Sequence, residues 1–230
     1  MVFKTKRDST GNIERHKPRL VAKGFTQKDG IDYKETFLPI SKKDSLRIIM
    51  DIVAHYDLEL HQMDAKTTFL NGNLKEEVYM NQPEGFSCKG KEHMVCKLKK
   101  SLYGLKQFSW QWYLKFNESI VSFEFMKNTV DQCIYLKVSG SKFIMLVLYI
   151  YDILLATNDL GLLDDTKRYI ANNFKMKDME ETSYVIGIEI FQNRSQRLLG
   201  LPQKAYINKV LVRFRMEKYS SSPVPIQKGD

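Results

Sequence analysis

Apolar positions along the 230-residue chain alternate between a period of two and a period near 3.6, and the changes of period mark out its elements. VFKTKRDSTGNIERHKPRLVAKGF predicts two strands around an Asp-Ser-Thr-Gly-Asn turn, whose residues tolerate the tight backbone of a hairpin. SKKDSLRIIMDIVAHYD places Leu46, Ile49, Val53 and Tyr56 on one face of a helix. LELHQMDA alternates as a half-buried strand does. A long helix is predicted after Gly104 in LKKSLYGLKQFSWQWYLKFNESIVSFEF, where Leu105, Trp112, Phe116 and Ile120 recur at near-helical spacing. KFIMLVLYIYDILLAT predicts two buried strands around a tight turn at Tyr151-Asp152. LLDDTKRYIANNF reads as helix, SYVIGIEI as strand, QKAYINKVLVRF as a further helix and SSSPVPIQKGD as linker. Strands and helices interleave irregularly, which points to α+β rather than a doubly wound sheet.

Composition narrows the picture. With 43% hydrophobic, 12% aromatic and 27% charged residues, there is material for a packed core, and collagen, coiled-coil and solvated-tail classes are excluded. The longest apolar run, Phe143 to Ile150, is far below the roughly 18 residues of a bilayer span. The N-terminus has no apolar leader segment, and Cys88, Cys96 and Cys133 form no CxxC pair, so a reducing, intracellular location is expected, cytoplasmic or nuclear. The net charge is +9, and it is concentrated. Residues 1–30 carry eight basic side chains against three acidic ones, and residues 89–106 carry six lysines against Glu92. Two such patches suit a surface that meets phosphates, and they equally suit a solvated face.

Two carboxylates sit where a core normally avoids them. Asp64 ends LELHQMDA, and Asp152 lies between FIMLVLYI and ILLA, where a bare carboxylate needs a partner, a hydrogen bond or a metal. A turn aspartate satisfied by its own backbone accounts for Asp152 as well, and a strand end accounts for Asp64. Cys88, His93 and Cys96 cluster as C-x4-H-x2-C, which lacks a fourth ligand at finger-like spacing and reads as incidental.

The strings LVAKGFTQKDGIDYKETFLPI, LELHQMDAKTTFLNGNLKEEVYMNQPEGF, SLYGLKQ, LVLYIYDILLATND and YVIGIEI, in this order, closely resemble the reverse transcriptase domain of copia-type LTR retrotransposon polyproteins, particularly those of plants. The resemblance implies a right-handed polymerase fold of fingers, palm and the beginning of a thumb, with an antiparallel palm sheet flanked by helices. It divides the chain into fingers at about 1–60, a motif A region of the palm at 61–84, fingers and motif B at 85–110, palm with motif C and primer grip at 111–190, and a truncated thumb at 191–230. The implied reaction is RNA-directed DNA polymerisation on a template–primer duplex from dNTP substrates. Two Mg²⁺ ions, or Mn²⁺, about 3.5–4 Å apart serve that in-line displacement.

By resemblance, Asp64 matches the motif A aspartate, with the Ala65 backbone beside it as a further ligand, and Tyr151 and Asp152 match the aspartate pair of motif C. Phe69 matches the steric gate that excludes a ribose 2′-hydroxyl. Gly104, Lys106 and Gln107 match motif B in the nucleotide pocket, and Lys17, Arg19 and Lys23 are candidates for triphosphate contacts. Val185, Ile186, Gly187 and Ile188 resemble the primer grip; alone, they read as a buried strand.

Several positions depart from the family pattern. Tyr151 replaces a metal-binding aspartate with a neutral phenol, a poor ligand for a hard cation. Pro18 stands in a finger strand, Thr68 beside the steric gate, Phe108 and Trp110 in motif B, and Pro202 near the end. The pattern is that of drift, and the chain is expected to be a fragment of a decayed element, begun inside a longer frame and without RNase H, integrase or protease parts. Losing one metal-binding carboxylate removes several kcal/mol of transition-state stabilisation, with each 1.36 kcal/mol about tenfold in rate. The expected activity is therefore impaired polymerisation, against two alternatives: a nucleic-acid-binding relic without chemistry, and a pseudogene product that scarcely folds.

Overall fold

The computed structural model describes residues 2–7, 12–31, 33, 36, 38–65, 77–87, 89–181, 184–185 and 188–219, with Arg7, Lys17 and Glu181 described for their backbone alone. The predicted turn at Asp8 to Gly11, Thr68 and Phe69, Cys88, Ile186, Gly187 and the linker from residue 220 onward lie outside the described residues. The chain divides into two compact units, residues 1–181 and 182–230.

The first unit opens on an antiparallel ribbon of β1 (Val2–Arg7) and β2 (Ile13–Arg19), as the hairpin pattern predicts. Lys4 lies opposite Lys17, and Lys6 opposite Arg15. Pro18 lies opposite Phe3; each strand of a two-stranded ribbon has an open edge, where a residue without an N–H is tolerated. Helix α1 (Lys43–Tyr56) buries Leu46, Ile49, Met50 and Val53. Tyr56, expected on that face, is 64% exposed: it stands in the last turn, just before Asp57 ends the helix in the left-handed conformation.

The remaining elements of this unit are β3 (Glu59–Ala65), β4 (Tyr79–Asn81), β5 (Val95–Lys97), α2 (Phe108–Ser122), β6 (Met126–Lys127), β7 (Ile134–Ser139), β8 (Lys142–Tyr149), β9 (Asp152–Thr157), α3 (Leu160–Asn173) and β10 (Met176–Glu181). β4 pairs with β5, and the others form one antiparallel six-stranded sheet in the order β10-β3-β9-β8-β7-β6. Helix α2 begins at Phe108 rather than directly after Gly104, because residues 103–107 make a separate close approach to residues 21–27.

One face of the sheet carries the main core. Met63 and Ala65 of β3, Ile144, Leu146 and Leu148 of β8, and Ile153 and Leu155 of β9 cluster with Trp112, Phe116 and Ile120 of α2 and Leu163 and Ile170 of α3. Alternation sends Leu60, Val147 and Leu154 to the opposite face, where they are buried as well. The two central strands therefore read as unbroken apolar runs, as strands covered on both faces do. Asp131, 6% exposed, ties the start of α1 to this sheet: its carboxylate accepts from Ser41 Oγ at 2.9 Å, Lys42 N at 3.0 Å and Cys133 N at 3.0 Å.

The second unit contains the short hairpins β11 (Tyr184–Val185) with β12 (Ile188–Glu189) and β13 (Phe191–Asn193) with β14 (Leu198–Gly200), followed by α4 (Lys204–Arg213). SYVIGIEI, a single strand by its pattern, is thus split between two antiparallel strands. Pro202 is exposed just before α4. No helix among the described residues is long and apolar enough to cross a membrane.

Burial alone would raise the Asp131 carboxyl pKa, but the amides of Cys133 and Lys42 and the hydroxyls of Ser45 and Ser41 outweigh it and hold the value below the usual range. A depressed folded value contributes stability above the unfolded titration range and loses it as pH falls. Asp131→Ala is expected to destabilise by about 1–3 kcal/mol in urea unfolding at neutral pH, since it orphans buried donors, and the difference from the parent chain should shrink in acid.

Candidate active site

The hairpin between β8 and β9 turns on two residues, Ile150 and Tyr151, with Asp152 already the first residue of β9. This places the turn one residue earlier than the sequence pattern does. Ile150 has φ +57°, a conformation that a β-branched residue rarely adopts. The surroundings hold it there: Trp112 Nε1 donates to Ile150 O at 3.1 Å, and Ala65 N donates to Tyr151 O at 3.1 Å.

The register of β3 against β9 sets Asp64 directly opposite Asp152. Met63, Ala65 and Ile153 belong to the helix-covered face, so strand alternation puts both aspartates on the other face, side by side. Gln62 Nε2 donates to Asp152 Oδ1 at 3.0 Å. Burial pushes the Asp152 carboxyl above its usual range, Gln62 opposes that rise, and the negative charge of Asp64 adds to it. On the far side of Asp64, β10 sets the exposed Lys177 directly opposite. A row of Lys177, Asp64, Asp152 and Tyr149 thus crosses four strands on one face.

Tyr151 goes the other way. Its ring packs against the core cluster, with centroids 6.0 Å from Phe108, and the Ser109 hydroxyl hydrogen-bonds its phenol. Burial raises the phenol pKa, so the group stays neutral at physiological pH. A pair of divalent cations needs bridging carboxylates, and here two half-buried carboxylates share one face while a neutral phenol is bonded on the other. Among the described residues, no group of three or more His, Cys, Asp or Glu side chains is arranged to hold a metal. The donor set therefore does not fit the two-ion site that the resemblance implies.

Gly104, Lys106 and Gln107 lie in a segment clamped to the one that follows the ribbon. Ala22 N donates to Tyr103 O at 2.7 Å, and Gln27 Oε1 accepts from Lys106 N at 2.9 Å while its Nε2 donates to Gln107 Oε1 at 3.0 Å. Gln107 is buried, and the Lys106 ammonium lies 4.7 Å over the Tyr33 ring and donates to its hydroxyl at 3.0 Å. Gly104, at φ +90°, passes so close that an added Cβ would sit 2.1 Å from Ala22 O. Of the proposed triphosphate cations, Lys23 is exposed and Arg19 stacks its guanidinium 5.3 Å over Tyr103. Val185 and Ile188 are cross-strand partners in the second unit.

Sequence reasoning passed over Lys177, Gln62, Gln27 and Ser109. Each acts through a cross-strand or long-range partner, so no local spacing marks it; only the pairing of Lys177 with Asp64 was in principle readable, once β3 and β10 are aligned.

Two substitutions test this geometry. Gly104→Ala combines a strained φ with a clash against backbone and should destabilise by about 3 kcal/mol or more in urea unfolding. Asp152→Asn keeps the acceptor for Gln62 and removes a charge that the fold disfavours. A raised folded pKa contributes stability below the unfolded range and loses it as pH rises, so the asparagine variant should be more stable than the parent at neutral pH by roughly 0.5–2 kcal/mol, with the gap closing in acid when melting curves are compared.

The family described as reverse transcriptase (RNA-dependent DNA polymerase) matches residues 1–228. The chain is 46% identical over 226 residues to the retrovirus-related Pol polyprotein from transposon TNT 1-94 of Nicotiana tabacum, covering 98% of this chain and 17% of that protein. It is 38% identical over 215 residues to the retrovirus-related Pol polyprotein from transposon RE1 of Arabidopsis thaliana, covering 94% of this chain and 14% of the relative. The chain thus spans about a sixth of the length of these curated relatives. No solved structure matches it. Aspartates paired at adjoining strand ends, a glycine-bearing loop before α2 and a match over nearly the whole length converge: the chain belongs to the reverse transcriptase family, among the copia-type Pol polyproteins of plant retrotransposons.

Proposed function

We propose that the chain is the polymerase part of a copia-type Pol polyprotein that keeps a template–primer surface and has lost most of its capacity for nucleotidyl transfer. In this reading the six-stranded sheet with α2 and α3 belongs to the palm, the β1–β2 ribbon and the segment clamped to motif B belong to the fingers, and the second unit carries the primer grip of the palm and, from residue 191, the beginning of the thumb. The observation that carries it is the cross-strand pair Asp64 and Asp152 with Tyr151 drawn to the opposite face.

Each part of this chain has a chemical role in the reading. The two aspartates would bind one divalent cation at most, weakly, where the ancestral site bound two Mg²⁺ or Mn²⁺ ions; a bound pair would supply charge neutralisation at the triphosphate and activation of the primer hydroxyl. Lys177 flanks the carboxylates with a positive charge suited to phosphate. The ribbon sets Lys6 opposite Arg15, like charges that repel one another and are relieved by a polyanion. Lys17, Arg19, Lys23, Lys106 and Gln107 remain the candidates for the nucleotide side, with Phe69 as sugar gate and Val185 to Ile188 as primer grip. RNase H, integrase and protease functions would come from other parts of the polyprotein. The ribbon also favours a second reading, a nucleic-acid-binding relic with no chemistry at all.

The test is binding and extension on a poly(rA)/oligo(dT) duplex, with Asp64→Ala as the control. Binding should weaken roughly tenfold or more between low and physiological salt, as phosphate contacts dictate. Extension should be indistinguishable between the parent chain and Asp64→Ala. Robust extension by the parent that Asp64→Ala abolishes would overturn the impairment, and salt-independent binding would remove the template–primer surface.

A further inference from the structure

We propose that Phe108 is a positioning residue that holds Tyr151 on the helix face of the sheet, so that the carboxylate site is closed by a lock of two residues rather than by one substitution. The inference rests on the reading of Asp64 and Asp152 as the remains of a polymerase centre.

Tyr151 leaves the hairpin turn at a point from which two environments are within reach. One is the face with Asp64 and Asp152; the other is the start of α2. Phe108, the first residue of α2, is 4% exposed and presents its ring 6.0 Å from that of Tyr151 at an interplanar angle of 45°. On its other side, the Tyr103 ring lies 5.6 Å away at 57°, and the Arg19 guanidinium lies 5.3 Å over Tyr103. Arg19 Nε is buried and has no hydrogen-bond partner among the described residues, so stacking on Tyr103 is the contact that holds this guanidinium there. Four side chains thus form a continuous ladder from the end of β2 to the β8–β9 turn. Tilted aromatic pairs at these spacings attract one another beyond the area they bury.

The ladder has a fixed wall. Helix α2 is anchored to the turn independently of Tyr151, through Trp112 Nε1 and Ile150 O, and its first turn is tied back through Gln107, which is bonded to Gln27. Phe108 therefore has no freedom to withdraw when its neighbour changes. A carboxylate placed at position 151 would face the Phe108 ring, which offers no donor, and would have only the Ser109 hydroxyl, among the described residues, as a polar neighbour on that side. The half-buried space vacated by the tyrosine ring is costly for a charge. A hydroxyl at position 108 supplies a donor and leaves room for water. Restoring cation affinity accordingly takes both positions.

The experiment measures Mn²⁺ binding by electron paramagnetic resonance for the full chain as it stands, Phe108→Ser, Tyr151→Asp and the double variant, with thermal unfolding followed for each. The double variant is expected to bind at least about tenfold more tightly than either single variant. The proposal is overturned if Tyr151→Asp alone binds as tightly as the double, if Phe108→Ser alone gives the whole gain, or if the four proteins do not differ. Should the double variant fail to fold, a cycle of Phe108→Leu and Tyr151→Phe in urea replaces it. There, the unfolding constants should be non-additive by at least about threefold, and strict additivity overturns the lock. Primer extension by the same proteins separates the two readings: tight Mn²⁺ binding without extension sustains the lock and sinks the polymerase centre, and tight binding with extension sustains both.

Discussion

The antiparallel register of β3 against β9 is the constraint on which the site depends. Its six backbone pairs, from Glu59 with Thr157 to Asp64 with Asp152, decide which side chains enter the core. A slip of one residue would carry Asp64 to the face covered by α2 and α3 and expose Met63 and Ala65 instead. The apolar side chains of β3 and β9 thus enforce the pairing of the two aspartates, and the buried row holds two like charges together. Burial first, and the neighbouring charge of Asp64 to a smaller degree, raise the Asp152 carboxyl pKa in that position.

A second fixed relation lies between residues 21–27 and 103–107. Gly24 and Gly104 approach each other through backbone atoms, and a Cβ on Gly24 would stand 1.7 Å from Gly104 O. Gln27 then bridges to both Lys106 and Gln107. Because α2 begins directly after this clamp, the position of Phe108, and through it that of Tyr151, is tied to a stretch of chain some eighty residues earlier.

Much of this was legible in the sequence. Alternation marked β3, the turn residues marked the β1–β2 ribbon, unbroken apolar runs marked β8 and β9, and helical spacing marked α1 and α2, which bury one stripe each; α4 is helical as its pattern predicts yet buries no side chain. The turn between β8 and β9 was placed one residue late because apolar residues run on through Ile150 and Tyr151, and no turn preference selects an isoleucine at positive φ; only the hydrogen bonds from Trp112 and Ala65 fix it. Tyr56 fits the helical stripe of α1 yet is exposed, because the helix ends where it stands. The substitution at Tyr151 was visible as a missing carboxylate, whereas its packing against Phe108 depends on the face that the turn selects, which periodicity does not encode.

The rims of the six-stranded sheet complete the picture. At one edge, β6 is two residues long. At the other, β10 carries an irregularity between Asp178 and Glu181, with Glu180 at φ +60°, and its exposed residues include Lys177, Asp178 and Glu180. A short strand and a bent, charged one are poor templates for another backbone. The sheet is thus guarded against growing sideways by strand addition, a protection that keeps such a chain monodisperse whatever chemistry its face carries.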